Sequence, residues 1–181
     1  LEENNLDDAK KYIKKAISLK PDFWIPYNNL ATLEATIGNL IEAEKNLHKV
    51  IEINPNYLEA YVSLGEIKND LFKIKEAEKL FLKSLEIKKD FVNGYCSLFR
   101  FYEKTNNLIK LKEQLNLQNG NNEIKNELLM YEARVLFREK KFFKAKKLID
   151  KVSLNWVQQT DTNTRLNFWS FKAFIEEKLE N

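Results

Sequence analysis

Little in this chain can break a helix or pin a tight turn. Of 181 residues only four are Gly and three are Pro, which leaves little room for a sheet-rich fold built on reverse turns. One cysteine, Cys96, excludes an internal disulfide and fits a reducing compartment, hence a cytoplasmic setting. No apolar run approaches the roughly 20 residues that span a bilayer, so no membrane segment is expected. Charge of one sign is also missing: 30 Lys and Arg stand against 27 Asp and Glu, a net +3. That balance describes a solvated helical surface and excludes the basic excess of a nucleic-acid binder. A glycine-rich phosphate loop, metal-ligand spacing and a nucleophile elbow are all absent, so neither an enzyme nor a cofactor is expected. Enough remains for a core, since 44% of residues are hydrophobic and 12% aromatic, which argues against disorder.

What is present is a period. Tyr27, Leu30 and Ala31 are answered 34 residues later by Tyr61, Leu64 and Gly65, and again by Tyr95, Leu98 and Phe99. With Trp24 as position 1, bulky residues stand at 4, 7 and 24 (Tyr27, Leu30, Leu47), small ones at 8, 20 and 27 (Ala31, Ala43, Val50), and Pro55 at 32. From Leu58 the series reads Tyr61, Leu64, Gly65, Ala77, Phe81 and Ser84, with Lys89 in place of proline; before Trp24, Ala9, Ile13, Ala16 and Pro21 fill positions 20 to 32. Small residues in one register let two helix backbones approach closely, bulky ones fill around the crossing, and proline ends the second helix. A generic amphipathic bundle would show apolar stripes without that recurrence.

The pattern resembles the tetratricopeptide repeat, most strongly over residues 4–115. The resemblance implies an all-α, right-handed α-solenoid of antiparallel helix pairs, about four to five repeats with partial ones at both ends. A single solenoid over 1–181 is expected, with regular repeats in 1–91, divergent repeats in 92–159 and a capping-like helix over 162–181. In the repeat from Val92, Phe99 and Leu111 take small positions, which should spread that crossing, and its second helix fades after Leu117 into Gln118-Asn119-Gly120-Asn121-Asn122. From Asn126 the frame resumes with Leu129, Ala133, Ala145, Ile149 and Val152, but Glu132 holds position 7 and suggests a small shift. The last helix should open at Asp161 and present Trp169 and Ala173 as positions 4 and 8. The chain reads as a piece of a longer one. Ile13, Phe171 and Phe174 are expected to lack cover, making self-association through truncated ends plausible.

Family resemblance also locates a binding surface, the face lined by positions 2, 5, 6, 9, 12 and 13 of each first helix. These are Ile25, Asn28, Asn29, Thr32, Ala35 and Thr36; then Glu59, Val62, Ser63, Glu66, Asn69 and Asp70; then Asn93, Cys96, Ser97, Arg100, Glu103 and Lys104. The candidate peptide-binding residues are Asn28, Asn29, Thr32, Val62, Ser63, Glu66, Cys96, Ser97 and Arg100. A clamp for a peptide's terminal carboxylate is not expected, because Glu59 and Val62 stand where cations would be needed. Asn29, continued by the shorter Ser63 and Ser97, resembles the asparagine ladder that grips peptide backbones. His48 falls on an outer face and reads as a surface residue, and Cys96 lacks a histidine partner. Lys10, Lys11, Lys14 and Lys15, with Lys140, Lys141, Lys144, Lys146 and Lys147, read as solvated faces broken up by acids, so no nucleic-acid partner is expected. The implied function is a protein-interaction scaffold that takes an extended peptide or partner helix in its groove. The alternative is the repeat arm of a larger sulfotransferase or glycosyltransferase, because residues 126–174 resemble bacterial repeat proteins fused to sulfotransferase domains.

Overall fold

A computed structural model describes the backbone of residues 2–180 and the side chains of residues 6–180. Among the described residues there are helices and no strands: α1 (Glu2–Leu19), α2 (Trp24–Thr36), α3 (Leu40–Ile53), α4 (Leu58–Asp70), α5 (Ile74–Ile87), α6 (Val92–Lys104), α7 (Leu108–Leu117), α8 (Lys125–Arg138), α9 (Phe142–Ile149), α10 (Leu154–Gln159) and α11 (Thr162–Glu180). None is long and apolar enough to cross a membrane. The chain forms two compact units, a first running to Phe101 and a second from Tyr102.

In the first unit the small-residue register does what its spacing predicts. Ala31, Ala43 and Ala77 are 2%, 0% and 0% exposed, and with Leu47, Val50, Ala60, Leu64 and Ile67 most of them form one core. Gly65 is small for a reason of contact: a Cβ there would lie 2.8 Å from Cε1 of the buried Phe81 ring. Ala9 and Ile13 on α1 are half-buried, so Ile13 has more cover than expected.

Tyrosines at position 4 fasten each repeat to the one before. Tyr27 Oη donates to the Pro21 carbonyl at 3.1 Å, Tyr61 Oη to that of Pro55 at 3.0 Å, and Tyr95 Oη to that of Lys89 at 2.9 Å. The acceptor is a main-chain oxygen, so Lys89 serves as well as proline.

The turns keep the period more faithfully than the side chains. Left-handed backbone occurs at Gly38 (φ 82°), Phe72 (59°), Asn106 (54°) and Lys140 (61°), each 34 residues from the last. The same closing bonds surround each one: Asn39 N–H to Glu34, Lys73 to Lys68, Asn107 to Tyr102 and Lys141 to Leu136, at 2.8, 2.8, 2.8 and 2.9 Å. This is the Schellman ending of a helix. Sequence reading recognises it where Gly or Asn stands and misses it at Phe72 and Lys140.

Buried ion pairs join successive repeats with alternating polarity. Lys10 Nζ lies 2.5 Å from Glu34, whose side chain is 4% exposed; one repeat on, Lys68 Nζ lies 2.8 Å from Glu44. Both link position 21 of one repeat to position 11 of the next, with the signs exchanged. Lys10 is therefore no merely solvated lysine. Its hydrogen bond holds the Glu34 carboxyl below the ordinary 4.5, against the opposing effect of burial.

The second unit preserves the frame and departs in three places. Ala133, Ala145, Ile149 and Val152 are all buried, and Leu129 packs against them. Glu132 does not shift α8: Ala133 stays in place and the turn at Lys140 arrives on schedule. Instead a cleft of about 240 Å³ opens, lined by Glu132 with Leu115, Val135, Leu136 and Leu148. The second helix of this repeat is split into α9 and α10, where Ser153 Oγ caps by accepting from Trp156 N–H at 3.4 Å. Asp161 opens α11 as expected, its Oδ1 accepting from Thr164 N–H at 3.0 Å. The buried face of α11 is one residue earlier than the spacing of Trp169 and Ala173 suggests. Phe168 and Ile175 are buried while Trp169 is 48% exposed, because Phe168 enters the core and Lys172 Nζ reaches Asp150 at 2.7 Å. Phe171 is not bare either: it meets Phe137 edge-on at 5.4 Å, whereas Phe174 is 56% exposed.

Candidate functional site

All the candidate binding residues fall in the first unit, on α2, α4 and α6. Helical spacing aligns frame positions 5, 6, 9, 12 and 13 along one side of each helix. Between α2 and α4 that side opens into a cleft of about 370 Å³, lined by Ala31, Thr32, Ala35, Thr36, Leu40, Leu47, Ser63, Glu66, Ile67 and Asp70. Its floor is alkyl and its rim polar.

Of the residues singled out, Thr32, Ser63 and Glu66 meet in this cleft. Arg100, on α6, is outside the cleft lining and lies against its rim, Nη1 3.7 Å from Glu66 Oε1, both side chains about half exposed at 51%. Asn28 is half-buried and Asn29 lies beside it, both outside the cleft lining. Cys96 is half-buried. Val62 and Ser97 are only 5% and 4% exposed, so neither presents a side chain to a ligand, and the row Asn29–Ser63–Ser97 is interrupted at its third member. Leu40, Leu47 and Ile67 were not expected in a site. They belong to core positions: Leu47 and Ile67 stay 2% and 4% exposed at the bottom of the cleft, and only Leu40 is half-buried.

The threonine hydroxyls are tied to the helix. Thr32 Oγ1 donates to the Asn28 carbonyl at 3.1 Å and Thr36 Oγ1 to the Thr32 carbonyl at 2.9 Å. His48 stands away from the cleft, its Nε2 3.8 Å from Glu44 Oε1 on α3. In the second unit, burial raises the carboxyls of Glu127 and Glu132 above their ordinary 4.5; Glu127 also accepts a bond from Trp156. Among the described residues no group of three His, Cys, Asp or Glu is placed to hold a metal ion.

The tetratricopeptide repeat family model matches residues 1–23, 26–57 and 58–91. These stretches are tetratricopeptide repeats. No protein of curated function matches the chain. Among solved structures it resembles YrrB, described as a TPR protein with an unusual peptide-binding site: 22% identity, TM-score 0.59, covering 93% of this chain and 87% of that one. It resembles TTC0263, a thermophilic TPR protein of Thermus thermophilus, at 17% identity and TM-score 0.66, covering 92% and 90%. The Cut9–Hcn1 hetero-tetramer of the APC/C matches at 14% identity and TM-score 0.74, covering 97% of this chain and 34% of that one. At these identities the likeness establishes the helical-repeat fold. The resemblance of residues 126–174 to sulfotransferase-fused repeat proteins finds no support in these matches.

Proposed function

We propose that this chain is a protein-interaction scaffold whose first unit holds an extended peptide segment of a partner against the face made by α2, α4 and α6. The observation that carries this reading is the cleft between α2 and α4, whose rim of Thr32, Thr36, Ser63, Glu66 and Asp70 comes from frame positions that the repeat leaves outward-facing. YrrB, built on the same fold, is described as having a peptide-binding site, which supports the class of ligand. Asn29, beside the cleft, can both donate to and accept from a peptide backbone, and Thr32, Ser63, Glu66 and Arg100 stand further along the same face.

Isothermal calorimetry with a partner identified by pull-down tests it. Asn29→Ala should weaken binding by about 0.5–1.5 kcal/mol, the value of one backbone-reading hydrogen-bond pair. Lys49→Ala, on α3, should not. Equal affinities for the two variants would move the binding site to another surface.

A further inference from the structure

The polar groups around the cleft accept hydrogen bonds and offer few protons. Because Thr32 and Thr36 give their hydroxyl protons to helix carbonyls at 3.1 and 2.9 Å, their oxygens turn lone pairs outward. Glu66 and Asp70, one turn apart on α4, add two carboxylates, and no lysine or arginine lines the cleft. The outward positions of α2, from Ile25 to Thr36, carry no charge at all. Asp70 is exposed, and among the described residues its carboxylate is approached by the Asn69 amide, at 3.5 Å, and by no cation. Such a rim repels a carboxylate or phosphate and suits a cation rich in donors.

Two further observations narrow the ligand. The floor is alkyl; Ala31, Leu47 and Ile67 are buried in it, while Ala35 and Leu40 are half-buried and offer apolar surface for the methylene stem of a long cationic side chain. The protein's own Arg100 already places a guanidinium 3.7 Å from Glu66. At that distance, with both partners half exposed, the pair is a weak surface contact.

We propose that the cleft selects its partner through an arginine or lysine side chain, the stem lying on the alkyl floor and the charged head between Glu66 and Asp70. The proposal rests on the groove reading above and adds the chemistry of the occupant. Asn28 and Asn29, uncharged and next along the face, would hold the neighbouring peptide backbone.

Four fluorescein-labelled decapeptides of alternating Ser and Ala, carrying a central Arg-Arg, Lys-Lys, Leu-Leu or Glu-Glu pair, provide the test. Fluorescence anisotropy follows their binding to the whole chain, to Glu66→Gln/Asp70→Asn and to Thr32→Trp, with circular dichroism confirming that each variant folds. Thr32 is exposed, so tryptophan there fills the cleft without entering the core. The Arg and Lys peptides should bind about tenfold tighter than the Leu peptide, and the Glu peptide weakest. The amide double variant should erase that preference, and Thr32→Trp should abolish binding. An Arg peptide binding no tighter than the Leu peptide, with Thr32→Trp still blocking both, overturns the cation preference and leaves the groove reading standing. Binding indifferent to Thr32→Trp overturns the groove reading itself. Failure of the Arg and Lys peptides to bind at all overturns the proposal.

Discussion

Phe72 shows how one residue can carry the cost of a repeat's geometry. Its φ is 59° and its ring is 87% exposed, so it has the strain of left-handed backbone without the compensation of burial. Glycine occupies the same frame position at Gly38. Phe72→Gly should therefore raise stability, by up to about 1 kcal/mol, because the left-handed penalty for an L side chain exceeds the added entropy of glycine; thermal melting measures it, and a lowered Tm would mean the ring has a partner. Gly65 poses the opposite case. In mid-helix alanine is normally the better residue, but here its Cβ would meet the Phe81 ring at 2.8 Å. Phe81 is 1% exposed and has no room to retreat. Gly65→Ala should cost about 1–3 kcal/mol in urea unfolding, and a neutral result would place the close crossing elsewhere.

At the scale of an element, α8 holds the sharpest conflict between frame and side chain. Position 7 is a buried leucine in three repeats, Leu30, Leu64 and Leu98, and a half-buried glutamate in the fourth, beside an open cleft. Burial raises the Glu132 carboxyl above 4.5. A carboxyl whose folded pKa is raised binds protons more tightly when folded, so its contribution to stability is most favourable below the unfolded value and declines as pH rises through 4.5 to the folded value. Glu132→Leu should then stabilise the chain by about 1 kcal/mol at pH 7, from the apolar area it buries, and by less at pH 4, below the ordinary 4.5, where burial of the charge weighs less against the glutamate. An equal gain at both pH values would mean that the charge contributes nothing. The sequence made much of this scale legible: the crossing residues, the end of α7 at Leu117 and the Asp161 cap were all readable, because small residues and capping side chains leave local signatures. It did not reveal the left-handed turns at Phe72 and Lys140, where the helix-closing bonds of Lys73 and Lys141 override residue preference. Nor did it show the true buried face of α11, since apolar residues lie on both sides of that helix and spacing alone does not choose between them.

Across the whole molecule, a 34-residue backbone period runs from Gly38 to Lys140 through both compact units, while the outward residues vary freely. Frame positions told which side chains face outward; they did not tell that Val62 and Ser97 are covered, because burial there depends on the neighbouring helix, nor that core leucines would floor a cleft. On the function proposed above, the architecture separates stability from recognition: the crossings fix the scaffold, and the exposed face of α2, α4 and α6 is free to vary for a partner. Amide chemical-shift mapping of the isotope-labelled chain, titrated with a partner peptide, tests that division most directly. The account predicts perturbations clustered at Asn28, Asn29, Thr32, Thr36, Ser63, Glu66 and Asp70, with Lys45, His48 and Lys49 on α3 unmoved. A cluster on α3 and α5, with the α2–α4 face silent, would contradict it.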